Sequence, residues 1–269
     1  MTSENSKFKS IILAAGQGTR LTPLTNNRPK CMIELFGKSL LQHQINTFHK
    51  CGISDISIVV GYLGEMINIP NLKSFKNPDF QNTNMLETLF CATPKLTDSV
   101  IVSYGDIIFE EKILNALINS EDDISIIVDK NWKQYWSLRF ENPLDDAESL
   151  MIDDEKYIQE IGQKTNDLEN IQAQYIGLMK FSGKGLSKIK TMYAKFKEMS
   201  KIGSNPLNSD LPFEKSYLTD FLQALIKQGC KLKAVPINGG WLELDSISDY
   251  ELYKKMHKNH ELHKLISIS

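Results

Sequence analysis

The residues of this chain best suited to chemistry are Ile11-Ile12-Leu13-Ala14-Ala15-Gly16-Gln17-Gly18-Thr19-Arg20 and the Pro29-Lys30 that follows. An apolar run ends in a glycine-rich turn that carries an arginine, and a lysine comes after it. Glycines let backbone N–H groups come close to phosphate oxygens, and consecutive N–H groups in such a turn form an anion-binding hollow. Arg20 and Lys30 add fixed positive charge. The pattern suggests a protein that handles a nucleoside triphosphate, with Leu13, Ala14, Ala15, Gly16, Gly18 and Thr19 at the phosphates and Arg20 and Lys30 as the cations beside them.

Two commoner phosphate motifs do not fit. A P-loop needs a lysine directly after its last glycine, and none stands there. The dinucleotide fingerprint needs a third glycine where this chain has Leu21.

Further candidates follow other apolar runs. Tyr104-Gly105-Asp106 ends one of them, and an aspartate there is well placed to hold Mg²⁺, which takes carboxylate and phosphate oxygens. A turn aspartate without a ligand is the competing reading. In Trp241-Leu242-Glu243-Leu244-Asp245, alternation puts Trp241, Glu243 and Asp245 on one face of an extended segment. Solvated carboxylates on a half-exposed strand would look the same. Gln81-Asn82-Thr83-Asn84-Met85 is a candidate nucleobase border, because Asn side chains both donate and accept. Asn84 can equally be a helix cap. Gly61-Tyr62 would flank the same pocket.

The elements that must position these residues alternate strand and helix in the first half. Ser10–Ala15, Ile56–Val60, Ser99–Tyr104 and Ile124–Val128 read as strands. Ser39–Cys51 carries Leu40, Leu41, Ile45 and Phe48 at helical period, Asn84 to Glu87 reads as a capping box opening a helix through Ala92, and Glu111–Asn119 is a third helix. This alternation predicts a mostly parallel sheet with helices on both faces. The glycine turn, Gly61-Tyr62 and Gly105-Asp106 then share the rim at the carboxyl ends of the strands, where ligands bind such sheets. In the second half Trp136–Phe140, Leu150–Asp153, Tyr157–Ile161, Gln174–Phe181 and Leu232–Pro236 read as strands, with helices at Lys184–Met199 and Thr219–Lys227. Ser246 and Asp249 carry a second capping-box pattern for a terminal helix. The expected organisation is one domain over 1–269: a nucleotide half at about 10–128, an acceptor half with a smaller β subregion at about 129–250, and a helical tail at 251–269.

Composition narrows the partners. With 269 residues, 41% hydrophobic content and a net charge of −2, the chain can build one large α/β domain and has no bias toward nucleic acid or an anionic membrane. Met1 to Ser10 is polar without an apolar secretion core, and no apolar run is long enough to span a bilayer. Cys31, Cys51, Cys91 and Cys230 are scattered, as expected for reduced thiols in a cytoplasmic protein. His257, His260 and His263 suggest a solvated terminal helix more than a metal site. The apolar helix face Phe221–Ile226 is a candidate homodimer surface, and core burial explains it equally well.

The extended pattern L-A-A-G-x-G-T-R-L-x-P-L-T, then P-K-x-M, resembles the nucleotidyltransferases that couple a nucleoside triphosphate to a sugar phosphate or small phosphorylated alcohol. The resemblance covers about Ser10 to Tyr250 and implies a Rossmann-like, GT-A-like α/β fold and a transferase activity. It implies that the loop wraps the triphosphate, that Lys30 contacts phosphates and acceptor, and that Asp106 and Asp245 bind Mg²⁺, with Glu243 assisting. The N-x-N-M form of Asn82–Met85 is similar to the CTP-using branch.

The middle of the chain points to the same branch. Asp129 to Arg139, the Pro143 to Glu148 run and Gln174-Tyr175-Ile176-Gly177-Leu178 resemble cytidylyltransferases acting on phosphocholine, on phosphonates such as 2-aminoethylphosphonate, or on phosphoglutamine. Such enzymes imply a role in capsule or cell-surface polysaccharide biosynthesis. The residues themselves make an acceptor pocket plausible: Trp132, Tyr135 and Trp136 can present faces to an ammonium, Arg139 can pair with a phosphate or phosphonate, and Glu148 or Asp146 can neutralise an amine. Packing of the tryptophans in the core is the alternative. Tyr175 is a further acceptor-side candidate, although Gly177 near it can simply allow close packing.

The expected reaction is Mg²⁺-dependent transfer of CMP from CTP to a small non-sugar acceptor, with loss of pyrophosphate. Two unit charges ~4 Å apart at an effective dielectric of ~20 repel by about 4 kcal/mol, so an anionic acceptor needs cations to approach a triphosphate. A sugar-1-phosphate nucleotidyltransferase using UTP, dTTP or GTP is the nearest rival, and a non-catalytic regulatory relative a remote one.

Overall fold

A computed structural model describes residues 7–268 of the chain. The polar N-terminal stretch therefore lies mostly outside the described residues.

In chain order the first half holds β1 (Phe8–Ala14), two short strands β2 (Glu34–Leu35) and β3 (Lys38–Ser39), α1 (Leu40–Lys50), β4 (Asp55–Val60), β5 (Lys73–Lys76), α2 (Met85–Cys91), β6 (Ser99–Tyr104), β7 (Ile107–Phe109), α3 (Glu111–Ile118) and β8 (Ile124–Asp129). Each first-half strand and helix expected from the sequence is present, its ends shifted by a residue or two at most. The second half adds α4 (Trp132–Arg139), β9 (Glu148–Ile152), β10 (Ile158–Lys164), β11 (Gln174–Ser182), α5 (Gly183–Ile202), α6 (Leu218–Lys227), β12 (Lys233–Ile237), β13 (Trp241–Glu243) and α7 (Ile247–Lys258).

The central sheet has seven strands in the order β12-β8-β11-β6-β1-β4-β5. Pairing is parallel throughout except at β11, which runs antiparallel to both β6 and β8. Strands from both halves thus share one sheet. Alternation along β1 explains the layers: Ile12 enters the apolar layer built by α1, α3, α4 and α7, while Ile11 and Leu13 enter the layer built by α2, α5 and α6. The mostly parallel sheet covered on both faces is the predicted one, and all six residues of β8 are buried as such a sheet requires.

Three expectations are corrected. Trp136–Phe140, read as a strand, is the C-terminal part of α4, because Trp132, Tyr135 and Trp136 fall on one helical face and bury together. Asn84 caps α2 through the Met85 N–H, but Glu87 does not complete a box; its carboxylate accepts instead from Tyr193 Oη at 2.6 Å and Lys197 Nζ at 2.8 Å. Phe221, Leu222 and Leu225 are fully buried, so this face of α6 is core and not a dimer surface. The second capping box is present: Ser246 Oγ accepts from the Asp249 N–H and opens α7.

Candidate active site

The glycine turn leaves the carboxyl end of β1, and the sequence dictates its shape. Gly18 has φ +66°, a left-handed conformation that favours glycine, and starts the turn Thr19–Leu21. Gly105 follows β6, and its N–H donates to Leu13 O at 2.8 Å. A Cβ there would stand 2.8 Å from both Ala14 Cβ and Leu13 O, so only glycine lets the two strand ends approach. Together they open a hollow of about 260 Å³ lined by Gly16, Arg20, Lys30, Met85, Asp106 and Asp245, with Leu13, Ala14, Gly18, Thr19 and Gly105 also on its wall.

Lys30, in a one-turn 3₁₀ helix, places its ammonium 2.9 Å from Asp106 Oδ2 and 2.7 Å from Asp245 Oδ1. Burial works against that charge, but the two carboxylates outweigh it and hold the lysine above its ordinary range. Arg20 Nη2 lies 2.5 Å from Asp245 Oδ2. Burial likewise disfavours the Asp245 charge, and Lys30 and Arg20 overcome it, holding this carboxyl below its usual range. The four chemistry-bearing residues predicted from separate segments therefore converge on one point. Cys31 also borders the hollow, but burial pushes its thiol up to about 12, which excludes a ready thiolate.

Asp106 and Asp245 fit a hard divalent cation. Asp106 Oδ1 is buried without a hydrogen-bond partner, an acceptor left open beside the glycine turn. Mg²⁺ commonly takes one or two carboxylates and completes its shell with water and substrate phosphates, so no larger ligand set is needed. Among the described residues no group of three or more His, Cys, Asp or Glu could enclose a metal, and that includes the C-terminal histidines.

The nucleobase candidates divide. Tyr62 is tied in place by its N–H to Ala15 O at 3.0 Å and its hydroxyl to Thr25 O at 3.1 Å. A Cβ on Gly61 would lie 2.6 Å from Ala15 O, so this glycine serves the close crossing of the two loops. Asn82 is exposed and donates to Asp79 Oδ1 at 2.7 Å. Thr83 Oγ1 accepts from Asn77 Nδ2 at 2.9 Å. Asn84 spends its carbonyl on the Met85 N–H, while its own N–H reaches Glu214 O at 2.9 Å.

On the acceptor side the structure turns several candidates inward. Trp132 and Trp136 are each 4% exposed and meet edge-on, and Trp136 also meets Tyr135 edge-on. They form core, not a cationic-ligand cage, because α4 lays its aromatic face on Trp241 of β13 and Tyr253 of α7. Arg139 is consumed as well: its Nη1 donates to Glu243 Oε2 at 2.7 Å and its Nε to Asp249 Oδ1 at 2.9 Å. It has no fork left for a phosphate. Asp146 accepts from Trp136 Nε1 at 3.1 Å.

Glu148, Tyr175 and Glu243 remain. Burial, with Asp146 and Asp220 nearby, pushes Glu148 up to about 7. Burial also raises Glu243 to about 7, Arg139 opposing and Asp106 and Asp245 adding to the rise. Tyr175 meets Tyr104 edge-on at 5.7 Å, and burial raises both phenols, with Glu148 and Asp106 adding to it. Gly177 has φ +81°, and a Cβ there would strike the Tyr104 ring at 2.7 Å; close packing is its purpose.

Sequence reasoning missed two supporting residues. Asp129, fully buried at the end of β8, accepts from Gly239 N, Asn131 N and Trp241 Nε1, and so sets the approach of β13. Asp249 was visible only as a helix cap, because its partner Arg139 stands 110 positions away. A larger hollow of about 500 Å³ lies elsewhere, beside His43, Phe109 and Lys112, and its wall charges pair with one another as Lys50–Glu111 and Lys112–Glu110.

The glycine turn, paired aspartates and clamped lysine at the carboxyl rim of this sheet define an enzyme class that handles nucleoside triphosphates. The sequence matches the MobA-like NTP transferase domain over residues 10–161, and the chain belongs to that family. It is 41% identical over 256 residues to CTP:phosphoglutamine cytidylyltransferase of Campylobacter jejuni, a match that covers 91% of this chain and 98% of that protein. It is 34% identical over 117 residues to choline-phosphate cytidylyltransferase of Streptococcus pneumoniae, covering 42% of this chain and 51% of the relative. Among solved structures, the CTP:phosphocholine cytidylyltransferase of Streptococcus pneumoniae shares the fold with TM-score 0.70 at 22% identity, over 93% of this chain and 99% of that one.

Proposed function

We propose that this nucleotidyltransferase moves CMP from CTP to a small phosphorylated acceptor, with phosphoglutamine the first candidate. Convergence of Arg20, Lys30, Asp106 and Asp245 around the glycine turn is the observation that carries the reaction type. The near full-length sequence likeness at 41% identity to a phosphoglutamine enzyme supports that acceptor over phosphocholine, whose enzyme matches a shorter stretch in sequence and shares the fold at 22% identity.

An oxygen of the acceptor phosphate attacks the α-phosphorus of CTP. That bond forms as the bond to the bridging oxygen breaks, and pyrophosphate leaves with its electron pair. No covalent enzyme intermediate is needed; positioning and electrostatics carry the step. N–H groups of the glycine turn and Arg20 would hold the β- and γ-phosphates. Lys30 would leave its bridge between the aspartates to meet charge developing on the α-phosphate. Asp106 and Asp245 would hold Mg²⁺, which supplies charge neutralisation when bound. Asn82, Thr83 and Tyr62 would border the base. Glu148 and Tyr175 would face the acceptor, Glu148 as the counter-charge for the α-ammonium of glutamine.

The test is product identity. Incubation with CTP, Mg²⁺ and phosphoglutamine should yield a CMP-linked glutamine phosphate by mass spectrometry, together with an equal amount of pyrophosphate. Pyrophosphate without that adduct would refute the acceptor, and no consumption of CTP with any acceptor would refute the transfer.

A further inference from the structure

Glu243 ends β13, and Asp245 and Asp106 lie in the short segments that follow β13 and β6; the backbone of these segments is tied in place. The Leu244 N–H donates to Asp106 O at 2.9 Å, linking the two aspartate segments directly. The next two N–H groups, of Asp245 and Ser246, both donate to Asp249 Oδ2, at 3.0 and 2.9 Å. Asp249 is in turn gripped by Arg139, whose Nε reaches Oδ1 at 2.9 Å and whose Nη2 reaches Oδ2 at 3.1 Å. The remaining arm, Nη1, holds Glu243 Oε2 at 2.7 Å. The guanidinium is locked between the rings of Tyr135, Trp136 and Phe140, with its carbon 5.1 to 5.5 Å from their centroids. The Arg139 side chain is 1% exposed and that of Asp249 2%.

Such a pair is a poor device for stability alone. Burying two charges costs desolvation that their attraction barely returns, and apolar side chains of similar volume often serve as well. What an apolar pair cannot do is accept two consecutive N–H groups and donate to a carboxylate in fixed positions. We propose that Arg139 and Asp249 are positioning residues for the reaction: their fork sets the 243–246 backbone so that the Asp245 and Glu243 carboxylates face Asp106 and Lys30. This proposal rests on the nucleotidyltransferase reading for its purpose. Outer groups that orient metal-binding side chains typically contribute 10- to 100-fold in metal affinity.

Full-length Arg139→Lys keeps the charge and loses the planar fork. Asp249→Asn keeps the shape and the acceptor Oδ1 but exchanges one acceptor for a donor. Three readings are taken on each: the Mg²⁺ concentration for half-maximal pyrophosphate release, Mn²⁺ binding to the nucleotide-free protein by EPR, and the melting temperature. The expected result is a folded protein in which both metal readings weaken about 10-fold or more, with the KM for CTP at saturating Mg²⁺ within about twofold of wild type. Wild-type metal requirement in a folded variant overturns the proposal. A lowered melting temperature with unchanged metal binding also overturns it, as does failure of both variants to fold, since either outcome leaves only a structural role. If wild-type protein shows no Mg²⁺-dependent turnover, the enzymatic reading fails, while Mn²⁺ binding still reports on the positioning.

Discussion

The glycine-turn side and the α4 side of this molecule differ in how their side chains are placed. Around β1 and β6 the backbone makes the site. Gly18 and Gly105 dictate where the chain can pass, and Arg20, Lys30 and Asp106 follow from those turns. Around α4 packing decides where the side chains point. Trp132, Trp136 and Arg139 have types suited to ligand binding, but the helix turns them to the core and to Asp249. Residue type is therefore a good guide where a local turn fixes direction, and a poor one where helix phase decides it.

The largest expected effect breaks that comparison most sharply. Trp136→Ala should cost about 3–5 kcal/mol of stability as a buried aromatic truncation, measured by urea unfolding, while the acceptor KM of the folded enzyme stays near wild type. A raised acceptor KM with little loss of stability would return Trp136 to the acceptor pocket. On the nucleotide side, Lys30→Ala should lower turnover roughly 10²- to 10³-fold, the loss typical of one charge-stabilising donor. Near-wild-type pyrophosphate release in that variant would remove Lys30 from the reaction.

Glu148 sharpens the acceptor half. Its carboxyl is pushed up to about 7, so it is mostly neutral below that pH and ionised above it. If it pairs with an acceptor ammonium, the acceptor KM should fall as pH rises from 6 to 8, and the slope should vanish in Glu148→Gln, where KM at pH 8 rises about tenfold for loss of one charged hydrogen bond. The same pH slope in the Gln variant would assign the titration elsewhere. The smallest effect is Asn84→Ala. Loss of the α2 cap should cost about 1 kcal/mol by thermal unfolding, and a much larger drop in CTP affinity than in stability would show that the side chain also reads the base.

Legibility in the sequence followed the same division. The parallel sheet was readable because buried strands appear as apolar runs ending in turn residues, and β6 was bounded at Ser99–Tyr104 from that signal alone. The candidate cluster was readable because Asp106 and Asp245 each stand two residues past a strand end and Arg20 lies in the glycine-rich turn that leaves β1, while Lys30 was marked by its place in the extended motif. The α4 helix was not, since its aromatic-rich run satisfies strand propensity as well as helical period. The Arg139–Asp249 fork had no local trace at all; long-range ion pairs leave no spacing to count. The short strands β5 and β7 escaped because few residues carry them, and their pairing is supplied by neighbours.

The central claim is tested most directly by Mg²⁺-dependent pyrophosphate release, crossing CTP, UTP, dTTP, ATP and GTP against phosphoglutamine, phosphocholine, 2-aminoethylphosphonate and glucose-1-phosphate. Turnover confined to CTP with a non-sugar acceptor, fastest with phosphoglutamine, is the predicted result. Turnover with glucose-1-phosphate and UTP or dTTP would contradict it, making this chain a sugar-1-phosphate nucleotidyltransferase built on the same phosphate cradle.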